Sequence, residues 1–235
     1  MKNILLPFGL GAMLVLGCST QTAPAEQQQQ QQDYQKLQNS VDSLGKATVE
    51  KFRSMPVAEL LDELGKAAAL GREPFNAPAY REILKRKDVA APLFKSIVDS
   101  SQREYFKLMA LKRLDASLYA KIPARQGAAI LTDALAKSET FNAWGIPNHY
   151  WESSARAITD YRAEAVPYLE KLLDDKRPAP VWGSEEAMIY EQYKFRVCDY
   201  ALALLNEIGP RQKIQLPMAP EARDVLIGSY RKNPR

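Results

Sequence analysis

In Glu164-Ala165-Val166-Pro167-Tyr168-Leu169-Glu170-Lys171-Leu172-Leu173 a proline precedes two apolar residues, and a second apolar pair follows three positions on. Val89-Ala90-Ala91-Pro92-Leu93-Phe94-Lys95-Ser96-Ile97-Val98 repeats the arrangement. Proline is tolerated in the first turn of a helix, where its missing N–H would be unpaired in any case. Each stretch therefore reads as a helix that starts near its proline and buries one face.

A second kind of segment follows each: Tyr105 to Leu114, Trp151 to Ile158 and Tyr200 to Ile208. These share a small residue four positions before a large one, as in Ala110 with Leu114, Ser154 with Ile158 and Ala201 with Leu205. Four residues apart is one helical face, and the small residue lets a neighbouring helix come close. Ala128 to Leu135 supplies a further first helix, and Leu60, Leu61 and Leu64 with Ala79 and Ile83 form a weaker pair earlier in the chain. Four such pairs over residues 56–209, without strand alternation, resemble HEAT-type helical repeats. The resemblance implies an all-α fold in which pairs stack into a short solenoid, because one pair cannot bury its own face. An irregular helical bundle is the alternative.

The connection inside the pairs lengthens to Ser138–Asn148 in the third and Asp174–Tyr193 in the fourth. Equivalent loops of a solenoid emerge on one edge, so these two are expected to be neighbours. Trp144, Trp151 and Trp182 all lie in or beside them, with Tyr190 and Tyr193 close by. Tryptophan and tyrosine bury much area while keeping a polar handle, which suits a docking surface. Two readings stand: the aromatics form the private core of two loops folded together, or they form an edge that binds a partner.

His149 is the single histidine. On a helix it would share a face with Glu152, as an acid–base pair would require, and Glu185-Glu186 supplies further carboxylates. A helix-start histidine bonded locally is the blander reading. Zinc needs three or four ligands, and paired carboxylates cleave glycans only at a set separation. No Ser-His-Asp order, phosphate loop or Cys-His dyad is present, so the chain implies no cofactor, metal or catalytic residue. An envelope hydrolase acting on cell-wall glycan or peptide through His149, Glu152 or Glu185 is the alternative to a binding module.

The amino terminus addresses compartment. Ile4 to Leu16 is uncharged, follows Lys2 and ends at Gly17-Cys18. The run is too short for a membrane span of about 20 residues and fits a signal-peptide core. Leu14-Val15-Leu16-Gly17-Cys18 resembles the lipobox of bacterial lipoproteins, although Leu16 is bulkier than usual. The resemblance implies a signal peptide at 1–17, cleavage before Cys18, and acyl chains on its thiol. Each buried methylene adds about 0.8 kcal/mol of membrane affinity, so several chains anchor the protein. Ser19 after the cysteine resembles the pattern for outer-membrane sorting.

Residues 18–32, with Gln27 to Gln32, offer too little apolar surface to offset ordering and are expected to be a flexible tether. Residues 33–235 then form a single helical domain. Its first part, with Tyr34, Leu37, Val41, Leu44 and Thr48 at heptad spacing, reads as an amphipathic helix or a short oligomerising one. Pro210 to Arg235 reads as a terminal cap. Removing residues 1–17 takes away one basic residue, Lys2, and leaves 31 basic against 28 acidic side chains, a balance that implies no nucleic-acid partner. Cys198 lies in an apolar helical pattern and is expected in the core. These readings point to a lipid-anchored envelope protein that binds a protein partner, with a structural spacer as a third possibility. No small-molecule ligand is indicated.

Overall fold

A computed structural model describes residues 24–69, 75, 77–99, 104–209 and 213–233. The signal peptide and Cys18 lie outside them. The protein is all-α, with one short two-stranded ribbon. Its helices are α1 (Pro24–Ser54), α2 (Val57–Ala69), α3 (Pro78–Ile83), α4 (Ala90–Asp99), α5 (Tyr105–Leu114), α6 (Ala116–Tyr119), α7 (Ala124–Lys137), α8 (Ser153–Asp160), α9 (Val166–Leu172), α10 (Ser184–Tyr193), α11 (Val197–Ile208) and α12 (Pro220–Lys232). The ribbon pairs β1 (Gly145–Ile146) with β2 (Tyr150–Trp151), antiparallel.

Two compact units divide between Thr48 and Val49, not at residue 33. In the first, α1 begins at Pro24 and runs through Gln27–Gln32. The expected flexible tether is therefore helical from Pro24 onward. Glutamine is a good helix former, so a run too polar to build a core can still hold backbone hydrogen bonds. The side chains of Tyr34, Leu37, Val41 and Leu44 lie outside the described residues.

In the second unit the four expected pairs each pack together: α2 on α3, α4 on α5, α7 on α8, and α9 on α11. Successive pairs also touch, through α2 with α5, α5 with α7, α7 with α9 and α8 with α11. Prolines sit in the first turns of α3, α9 and α12, where they cost no hydrogen bond. Asp115 caps α6, its carboxylate accepting from the Ser117 and Leu118 N–H groups at 3.0 Å, the usual role of an N-cap acid. The core runs through all four pairs and includes Leu60, Ile83, Leu93, Leu111, Leu131, Leu169 and Leu204. Cys198 is buried and free, as expected, and burial pushes its thiol up to about 12.

The carboxyl end is held by a buried cation. The Arg223 guanidinium is fully enclosed and donates to the carbonyls of Pro217, Met218 and Tyr193. Its Nε lies 3.0 Å from Oδ2 of the equally buried Asp199. Asp199 also accepts from the backbone and guanidinium of Arg196, and Arg196 reaches Asp224 at 2.8 Å. Buried charges persist only when paired and hydrogen-bonded, and this network meets both conditions.

Candidate functional site

The two long loops are neighbours. The Phe141 N–H donates to the Pro180 carbonyl at 2.8 Å, and the Trp182 N–H donates to Asn142 Oδ1 at 2.9 Å. The Asn142 amide returns a hydrogen bond to the Trp182 carbonyl. A side-chain amide thus copies a strand pairing across the loops.

The first loop contains the β1–β2 ribbon. Ile146-Pro147-Asn148-His149 turns the chain, with the His149 N–H donating to the Ile146 carbonyl at 3.1 Å and Asn148 at φ 71°. Proline second and a left-handed asparagine third are the requirements of a type II turn. Gly145, at φ +86°, has the Tyr150 carbonyl 2.4 Å from where a Cβ would lie, so only glycine fits. The Tyr200 hydroxyl donates to the Gly145 carbonyl at 2.8 Å, and Asn148 pairs with both backbone groups of Leu216. Core and carboxyl segment together hold the ribbon.

The structure separates the five aromatics that the sequence groups. Trp144 is buried, stacks on Tyr105 at 5.6 Å and donates its indole N–H to Ser138. Tyr193 is also buried, stacked on Phe195 at 4.8 Å. As partner-binding residues these two are corrected: an indole already hydrogen-bonded inside the core has no surface to offer. Trp151 and Tyr190 are half-buried against the core. Trp182 alone of the five stands out, 68% exposed.

Beside Trp182 in the chain, α10 directs Met188 outward, 61% exposed, and the ribbon presents Tyr150 at 38%. The Tyr150 phenol is raised by partial burial and then by the adjacent Glu186 carboxylate, so it stays protonated at neutral pH. Glu186 also folds over Gly183, whose φ of +130° leaves space that a Cβ would fill. Tyr150 and Met188 are site residues that sequence reasoning missed. The Pro147-Asn148 turn signal between Ile146 and Tyr150 could have revealed the ribbon; nothing in the sequence marks Met188 as outward.

The acid–base pair does not form as expected. His149 lies in the ribbon turn, edge-on to Tyr193 at 5.8 Å, while Glu152 follows β2 and precedes α8. They share no helical face, because Trp151 is a strand residue and α8 begins only at Ser153. Glu185 is exposed in the first turn of α10, and Glu186 is the carboxylate that meets the ribbon. Among the described residues no group of three or more His, Cys, Asp or Glu side chains could hold a metal ion, and no helix is long and apolar enough to cross a membrane.

The fold and site thus define an all-α protein with an aromatic edge built from two interlocked loops. Comparison of the chain with protein-family models, curated proteins and solved structures returns no match.

Proposed function

We propose that this chain is a bacterial envelope lipoprotein, anchored through acylated Cys18, whose helical pairs form a short HEAT-like solenoid and whose loop edge docks a protein partner. The observation that carries the reading is Trp182: a large indole open to solvent on a backbone fixed at both polar groups by Asn142. An exposed tryptophan costs hydration without returning packing, while a pre-ordered one loses little entropy on binding. Tyr150 and Met188 extend the edge with the same amphipathic character. Outer-membrane anchoring follows from Ser19 and belongs to the same proposal.

The test is in-cell crosslinking followed by mass spectrometry, comparing wild type with a Trp182→Ala, Met188→Ala double variant. Both side chains are exposed, so the variant keeps its fold by circular dichroism. A partner captured by wild type and lost in the variant supports the edge; identical capture in both overturns it. A Cys18→Ser chain tests the anchor separately, since it should leave the membrane fraction or retain its signal peptide. An acylated Cys18→Ser product would refute the lipobox reading.

A further inference from the structure

A groove of about 620 Å³ opens between α3, α5 and the start of α8, bounded by Phe75, Tyr80, Met109, Arg113, Glu152 and Ser153, among others. Its size lies within the range of small-molecule sites, and the docking edge plays no part in the argument. The floor is apolar: Phe75 meets Tyr80 edge-on at 5.3 Å, and Met109 is buried beside them.

Polar groups around this floor are uncommitted. The Tyr80 ring is only 3% exposed, yet its hydroxyl makes no hydrogen bond among the described residues. A buried phenol normally finds a partner, so this one points to a missing acceptor in the groove. Arg113 lies near enough to act on that phenol, and among the described residues no carboxylate pairs with it. Its neighbour Lys112, by contrast, is tied to Asp160. Opposite in charge, Glu152 stands at the N-cap of α8 without capping the helix by its side chain.

We propose that this groove binds a short zwitterionic peptide of two or three residues with apolar side chains. The peptide's carboxylate meets Arg113 and the Tyr80 hydroxyl, its ammonium meets Glu152, and its apolar side chain lies on Phe75 and Met109. Guanidinium–carboxylate pairing is bidentate and charge-assisted, which makes Arg113 the principal recognition group. A simple anion would leave Glu152 opposed and the apolar floor wet.

The probe is the dipeptide Leu-Phe, titrated calorimetrically into the full chain in detergent micelles, beside its N-acetylated and C-amidated forms. Leu-Phe should bind saturably. Arg113→Ala should weaken it by about tenfold or more while leaving the already weak amidated form unchanged. Glu152→Gln should weaken Leu-Phe but not the acetylated form. Tyr80→Phe keeps the buried ring and should also weaken Leu-Phe. Absence of saturable binding up to about 10 mM, the weak limit of useful affinity, overturns the proposal. So does unchanged affinity in Arg113→Ala, or equal binding of Leu-Phe and its acetylated form.

Discussion

Gly127 shows how much one hydrogen can matter. It lies in the interior of α7, where glycine costs about 1 kcal/mol relative to alanine, and the Tyr161 ring occupies the space that a Cβ would need. The nearest ring atom is 2.2 Å from that position. Gly127→Ala therefore trades a small gain in propensity for overpacking, at a net cost of about 1–3 kcal/mol. Urea denaturation reads this as a lowered midpoint with an unchanged slope; an unchanged or raised midpoint would contradict the geometry. The same scale explains the tryptophans. Their confinement to two loops was legible from spacing, but burial was not. Whether an indole faces in or out depends on partners distant in sequence, such as Tyr105 for Trp144 and Asn142 for Trp182.

The helix α12 was legible as a cap from Pro217, Pro220 and the apolar residues after them. What holds it was not, since Arg223 reads on paper as one more basic residue of a charged tail. Only the fold brings it to Asp199, 24 positions earlier, inside a cage of carbonyls. The outer member of the network, Asp224, is held below the usual carboxylate range by Arg196 first and Lys176 second. A depressed folded-state value stabilises the protein above the unfolded value, near pH 4, and that contribution is lost as pH falls through the folded value. Because Asp224 is more than a third exposed, solvent screening limits the effect to about 0.5 kcal/mol. Asp224→Asn should accordingly be less stable than wild type at pH 7, with the gap closing below about pH 4. A gap that persists at low pH would mean that packing, not charge, is responsible. The β1–β2 ribbon is the element that sequence periodicity missed, because two residues per strand are too few to show alternation. Its turn chemistry, Pro147-Asn148, was present all the same.

Across the whole molecule, the pairing of helices was the most legible feature. Proline-started helices followed by small-then-large faces named all four pairs that the structure packs together. Local signals sufficed there because each pair is nearly contiguous in sequence. The acid–base reading of His149 with Glu152 failed for a complementary reason: it assumed a helix through Trp151, where the chain instead pairs with Gly145. The molecule that results keeps Trp144 and Tyr193 as cement and leaves Trp182, Met188 and Tyr150 outside. That division is the central claim, and a photo-crosslinking amino acid placed in cells at position 182, and separately at exposed Lys95 on α4, tests it most directly. A discrete crosslinked species from position 182 and none from position 95 is the expected result. Equal crosslinking at both, or none at 182 in cells where the protein is membrane-bound, would contradict it.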